Sequence, residues 1–310
     1  MVPSRREFLT LAACGAGAAV SCWPWLATAQ TSRAPLSTTE INDHLHLFTG
    51  FGGNVLLVSS GEGLVLVNGG SAERSNELLK TVASHAQGKR FTTLLNTDWC
   101  ADHTGSNEAL GSISAQIIAH EHTKQYLAND QFVEWQKRTY PAKPKVALPT
   151  KTFYTKGSIS AGSERIDYGH LGQAHTDGDI YVHLPVSNVL ITGHVMTVGK
   201  YPIADYTSGG WLGGLLTATK TLLDLSNAET RIIPGTGPVQ TRADLQAQFD
   251  MLTTLRERFA KMMRQGMSAN DMLATGATKE FDAQWGDPKL FVPVTYRGLW
   301  LHVRELGGIV

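Results

Sequence analysis

The stretch Asn96-Thr97-Asp98-Trp99-Cys100-Ala101-Asp102-His103-Thr104-Gly105-Ser106-Asn107-Glu108 decides how this chain reads. It follows the run Thr92 to Leu95, whose apolar and β-branched residues read as a strand. Four side chains able to hold a metal, Asp98, Cys100, Asp102 and His103, fall within six positions. Alternate residues leaving a strand point the same way, so Asp98 and Cys100 can converge while Asp102 and His103 turn toward a neighbouring point. Carboxylate oxygen, thiolate sulfur and imidazole nitrogen are all ordinary zinc ligands.

Before this loop, short apolar runs at 44–49, 54–59 and 64–67 are separated by glycines and read as strands joined by tight turns. Between residues 73 and 86, Leu78, Leu79, Val82 and Ala83 fall at helical spacing. Beyond the loop the reading gives a strand at 116–119, a helix from His122 to Leu127 or further, and a connection carrying Pro141, Pro144 and Pro149. The second half repeats the plan, with strands at 163–168, 180–184, 189–192 and 231–233 and a helix at 212–225. From Leu245, the residues Phe249, Leu252, Leu255, Phe259 and Met262 form one apolar helical face. Thr241 and Asp244 are spaced as a capping box at its start, and Gly266 is its stop. Two groups of strands, each followed by helices, imply paired sheets covered by helices. Leu56, Val65, Leu94, Leu190 and Ile232 are expected to face the core common to both sheets.

The loop resembles the H-x-H-x-D-H motif of the metallo-β-lactamase superfamily, commonly followed by Thr-Gly, as it is here. Asp98 and Cys100 stand where that family has its first two histidines, and Asp102 and His103 match outright. Further likenesses follow in order. Gly172-Gln173-Ala174-His175-Thr176-Asp177-Gly178-Asp179 is similar to the segment with the third histidine, at His175. Ile191-Thr192-Gly193-His194 resembles the strand end that usually presents a bridging aspartate, and Pro234-Gly235-Thr236-Gly237-Pro238 the loop that usually presents the last histidine. The resemblance spans about residues 44 to 240 and implies an αββα sandwich with its site at one edge. It implies zinc-dependent hydrolysis of esters, thioesters, lactams, or phosphate or sulfate esters.

This sequence also departs from the family's pattern. Asn68 sits where many relatives have an aspartate supporting the metal loop. His194 offers a neutral imidazole's single lone pair in place of a bridging carboxylate, and Thr236 is a poor zinc ligand. Two readings follow. In the first the ligands are exchanged: Asp98, Cys100 and His175 hold one zinc, while Asp102, His103 and His194 hold a second or orient the water, with Asp102 as the catalytic group. Zinc lowers the pKa of a bound water to about 7 and polarises a carbonyl, so this reading gives a hydrolase of a small ester, lactone or amide. In the second, the site is degraded and the chain is a binding protein that keeps the fold and cleft. A redox or accessory role for Cys100 is a third possibility.

The secondary candidates carry less chemistry. His44-Leu45-His46 and His120-Glu121-His122 have metal-like spacing but lie outside the matched motif and read as surface or edge residues. Trp99, Tyr201, Tyr206 and Trp211 are candidates for an apolar pocket wall or for core packing. Asp177 and Asp179 read as turn and strand-start residues.

At the N-terminus, Ser4-Arg5-Arg6-Glu7-Phe8-Leu9 precedes a low-charge stretch ending in Ala27-Thr28-Ala29. This resembles a twin-arginine export signal occupying residues 1–29, which implies a mature domain of 30–310 in the periplasm or otherwise exported. Lipid attachment at Cys22 is the weaker alternative. Glycines and Pro24 interrupt the stretch, which is short for a membrane span of ~20 apolar residues, so no transmembrane anchor is expected after processing. Lys and Arg number 27 against 27 Asp and Glu, and no basic run gives a nucleic-acid footprint. The expected partner is a small-molecule substrate. Cys14 and Cys22 lie within the signal, so Cys100 is the lone thiol of the mature body.

Overall fold

A computed structural model describes residues 35–85 and 88–306; the expected export signal, with Arg5, Arg6, Cys14 and Cys22, lies outside the described residues. Among the described residues, fourteen strands form two large sheets and a hairpin. The first sheet contains β1 (Ser37–Asn42), β2 (Leu45–Phe51), β3 (Gly53–Ser60), β4 (Gly63–Val67), β5 (Phe91–Leu95), β6 (Gln116–His120) and β9 (Lys151–Phe153), side by side in that order. β1 to β4 pair antiparallel, whereas β4, β5, β6 and β9 are parallel. The small hairpin is β7 (Gln131–Val133) with β8 (Arg138–Tyr140).

The second sheet runs β10 (Lys156–Ala161), β11 (Glu164–His170), β12 (Ile180–Leu184), β13 (Val189–Gly193) and β14 (Arg231–Pro234), antiparallel except for the β13–β14 pair. Helices α1 (Ser75–His85), α2 (Asn107–Ser112) and α3 (Glu121–Ala128) belong to the first half. Helices α4 (Leu212–Leu225), α5 (Arg242–Arg264), α6 (Ala269–Ala274), α7 (Asp282–Trp285) and α8 (Phe291–Leu301) follow the second. Among the described residues no helix is long and apolar enough to cross a membrane.

Strand alternation divides the apolar residues into three layers. Leu47, Leu56, Val58, Val65, Val67, Leu95, Ile166, Val182, Ile191 and Ile233 meet between the sheets. Phe48, Leu57, Leu66, Leu78, Val82, Leu94 and Ile117 pack the outer face of the first sheet against α1. Leu190 and Ile232 pack the outer face of the second against Leu215, Leu222, Leu252, Leu255 and Phe259 of α4 and α5.

All five strand residues expected in the core are buried, but only Leu56 and Val65 face the common one. Leu94, Leu190 and Ile232 point outward under the helices, because the parallel strands β5, β13 and β14 are covered on both faces and lack a polar side to betray their phase. Helix α5 begins at the capping box of Thr241 and Asp244, and its Leu252, Leu255 and Phe259 are buried.

Candidate metal centre

The C-terminal ends of β5, β11, β13 and β14 open on the same edge of the sandwich, and their loops carry the residues singled out in the sequence. Backbone bonds hold these loops in register: Gly53 N–H donates to the Asp102 carbonyl within the first half, and Asn54 N–H to the Gly235 carbonyl and Ile180 N–H to the Thr97 carbonyl between the halves. Asn54 Nδ2 donates to the carbonyls of Pro234 and Gly237. Within the metal loop, Asn96 and Asn107 exchange side-chain amide bonds, and Gly69 N–H donates to the His103 carbonyl. Asn68, at φ +64°, is buried, and its Oδ1 accepts from both the backbone N–H and the hydroxyl of Thr97. It thus supports the loop from the position where an aspartate was expected. Asn tolerates this left-handed backbone better than most residues.

Asp98 is fully buried at the centre. Its Oδ1 accepts from the Cys100 N–H at 3.0 Å, and its Oδ2 accepts from His103 Nδ1 at 2.7 Å and His194 Nδ1 at 3.1 Å. The other nitrogen of His194 donates to Asp102 Oδ2 at 3.1 Å, and that of His103 faces the Gly235 carbonyl at 3.3 Å. The rings of His103 and His194 stack with centroids 4.1 Å apart. Gly193 lets the end of β13 come close to the metal loop: at φ +55°, a Cβ there would lie 2.7 Å from Thr97 Oγ1 and 3.1 Å from Asp98 Oδ2.

The electrostatics follow from the packing. Burial opposes ionisation of Asp98, yet His103 and His194 outweigh it and hold the carboxyl well below its ordinary value. For Asp102 burial is likewise overcome, chiefly by His194, and the carboxyl is pushed far down. Burial alone would lower His194, but Asp102 and then Asp98 raise it well above the ordinary histidine value. Burial, reinforced by Asp98, raises the Cys100 thiol. Burial and then His194 lower His175.

His175 Nδ1 donates to the Ile203 carbonyl at 2.7 Å, which leaves Nε2 as a lone pair 3.3 Å from Cys100 Sγ. Two groups of ligand atoms lie within 4.8 Å of one another: Cys100, His175 and His194, and Asp98, His103 and His194. The grouping expected from the motif is therefore changed. Asp98 joins His103 and His194 rather than Cys100 and His175, because its side chain points back under the loop to accept the Cys100 N–H. Asp102 belongs to neither group; it sits at the mouth with its side chain 34% exposed. Thr236 is half-buried and also outside both groups.

Other expectations are redrawn. His120 is not an edge residue: it is buried, stacked on His170 at 3.8 Å, with Nε2 directed at the Tyr154 carbonyl. His122 pairs with the Asp177 carboxylate at 3.2 Å, and His44 with the buried Glu164 at 3.0 Å. Asp179 accepts from the Thr176 N–H and hydroxyl, tightening the turn after His175. Tyr201 stacks on Phe291 and Trp211 on His302, so these two aromatics pack the C-terminal helices. Trp99 lies instead beside Tyr126 and Tyr140. The hairpin bearing Tyr140 was hidden by its three-residue strands and the flanking prolines. Its Trp135 Nε1 donates to Asp205 Oδ1 at 2.9 Å.

The profile of the metallo-beta-lactamase superfamily matches residues 48–249. The chain belongs to this superfamily. Among solved structures it is similar to a metallo-beta-lactamase from Pontibacter korlensis, at 21% identity and TM-score 0.58, covering 71% of this chain and 99% of that one. The DIM-1 metallo-beta-lactamase gives 19% identity and TM-score 0.57, covering 71% and 97%. The stereoselective inverting sec-alkylsulfatase Pisa1 from Pseudomonas sp. gives 16% identity and TM-score 0.66, covering 86% of this chain but 50% of the sulfatase. At these identities the likeness establishes the αββα fold.

Proposed function

We propose that the protein is an exported zinc-dependent hydrolase of a small ester, lactone or amide, with zinc held by Cys100, His175 and His194. The observation that carries this reading is the close grouping of those three donor atoms, together with the tautomer of His175. Its Nδ1–H is engaged by the Ile203 carbonyl, so Nε2 is free to coordinate. One sulfur and two nitrogens make an ordinary catalytic zinc set that leaves a position open. When bound, zinc supplies an activated water and polarises the substrate carbonyl.

The protein's own groups supply the rest. Asp98 orients His103 and His194 from beneath, and Asn68 and Thr97 fix Asp98's loop. For His194 to hold the metal it keeps Nδ1–H on Asp98 and turns the Nε2 lone pair from Asp102 to zinc; Asp102, ionised and partly exposed, then faces solvent, where it can hold a water by accepting its hydrogen bond. So low a pKa makes it a weak base at neutral pH, and its role is orientation rather than proton abstraction.

A second reading is favoured by one specific feature. Both nitrogens of His194 are turned toward carboxylates, so Asp98, His194 and Asp102 already form a complete ion network without a cation. In that reading the chain is a binding protein with the hydrolase fold. The two separate on activity: the purified protein should hydrolyse members of a panel of small esters, lactones and amides, lose that activity on chelation and regain it with zinc. Asp102→Asn should keep the metal and, by loosening the water's orientation, slow hydrolysis by about a hundredfold. Zinc-independent or absent turnover across the panel favours the binding protein.

A further inference from the structure

One segment, residues 203–210, grips His175 twice. The ring Nδ1 donates to the Ile203 carbonyl at 2.7 Å, and the His175 backbone carbonyl accepts the Asp205 N–H at 2.7 Å. Two residues on, the Asp177 N–H donates to the Ser208 carbonyl at 2.8 Å. The two stretches approach this closely because Gly209 and Gly210 lack side chains: a Cβ at Gly210 would overlap the His175 carbonyl, and one at Gly209 would lie 2.9 Å from Asp177 Cβ. Ile203 itself lies in irregular chain between β13 and the short helical turn Tyr206–Ser208. The direction of its carbonyl therefore depends on what fixes that turn.

Asp205 fixes it. Its side chain is buried, and its carboxylate accepts hydrogen bonds on both oxygens: Oδ1 from the Trp135 indole N–H at 2.9 Å, from the Thr207 N–H at 3.0 Å and from the Thr207 hydroxyl, and Oδ2 from the Ser208 hydroxyl at 2.8 Å. The bonds from Thr207 and Ser208 cap the turn, and the bond from Trp135 fastens the β7–β8 hairpin to it. The Asp205 carbonyl accepts from the N–H groups of Ser208 and Gly210 and so closes the same turn. The consequence reaches the metal ligand through its tautomer. An imidazole free in water prefers its proton on Nε2, and the hydrogen bond made by one ring nitrogen decides which nitrogen is left to coordinate. Here the Ile203 carbonyl draws the proton to Nδ1, and Nε2 faces Cys100 Sγ at 3.3 Å.

We propose that Asp205 is the positioning residue of His175: through the 203–210 segment it keeps the ring proton on Nδ1 and the Nε2 lone pair turned toward Cys100 and His194. That this orientation serves zinc rests on the hydrolase reading; the hold on the tautomer does not. The test takes long-range 1H–15N spectra of the full protein, labelled with 15N-histidine and freed of metal, at about pH 8, above the ordinary histidine range. Zinc affinity is measured beside it by competition with a chelator. His175 should be the Nδ1–H tautomer in the unmodified protein. Asp205→Ala should bring in the Nε2–H tautomer and weaken zinc about tenfold. Asp205→Asn keeps an oxygen for Trp135 and Thr207, and should restore the Nδ1–H tautomer and most of the affinity. His44, paired with Glu164 at the opposite end of the sheets, is the internal reference; its signals should not move, whereas a general loosening of the fold would shift them too. Should Asp205→Ala fail to fold, Trp135→Phe combined with Ser208→Ala removes two of the carboxylate's donors and should shift the tautomer in the same direction. A folded variant of either kind in which His175 stays wholly Nδ1–H overturns the proposal. A tautomer shift in a protein that never takes up zinc sustains the positioning role while removing the hydrolase reading; zinc-dependent hydrolysis with an unmoved tautomer does the reverse.

Discussion

Asn68 shows how a departure from a family pattern can preserve its mechanical role. Its carboxamide oxygen accepts two hydrogen bonds from buried Thr97, and its backbone occupies the left-handed region. Asn68→Ala should therefore strand the buried Thr97 N–H, leave the Thr97 hydroxyl to Asp98 Oδ2 and add backbone strain, costing on the order of 2–3 kcal/mol in urea unfolding. Asn68→Asp keeps the acceptor and should cost less than half as much; equal losses would show that the acceptor contributes nothing. At this scale the fold brings together five of the six residues the sequence marked, Asp98, Cys100, His103, His175 and His194, in two ligand groups, with Asp102 beside them. The sequence did not reveal their partition. Whether Asp98 pairs with Cys100 or turns beneath the loop depends on a backbone bond to Oδ1, and on Gly193 leaving room for the Asp98 carboxylate.

Among the elements, the strands with alternating or apolar runs and the capped helix α5 were legible, since their periodicity reflects one buried face. The polar edge strands β1 and β10 were not, because their exposed residues carry no apolar signal; Pro293 obscured α8, where it occupies the tolerated first turn. The three-histidine contact among β6, α3 and β11 gives the elements a pH dependence. Burial, reinforced by His170, lowers His120 to about 4 from its ordinary 6.5. The unfolded chain then takes up the proton more readily than the folded one, so stability is full above the ordinary value and falls as pH drops from about 6.5 toward 4. The loss should be on the order of 3 kcal/mol, read as the change in unfolding free energy across that window. His120→Gln should lessen the slope, with His170 supplying part of what is left, and an unchanged slope would remove the assignment.

For the whole molecule, the arrangement of loops on one edge follows from strand direction: β5, β11, β13 and β14 all end there, so ligands distant in sequence meet. The overall plan was readable because the motifs arrive in family order; which apolar residues face which layer was not, since strands covered on both faces are apolar throughout. Export is a separate claim about the molecule's fate. Replacing Arg5 and Arg6 with lysine should leave precursor inside the cell, and normal processing of that variant to Gln30 would contradict the twin-arginine assignment.

The central claim is that Cys100, His175 and His194 hold zinc, and metal content measures it most directly. Protein purified from its native compartment without chelators should contain about one zinc per chain. Cys100→Ala and His175→Ala should each lower that content severalfold, while Thr236→Ala, outside both ligand groups, should leave it unchanged. A folded, unmodified protein that is metal-free and takes up no zinc when offered it would contradict the account.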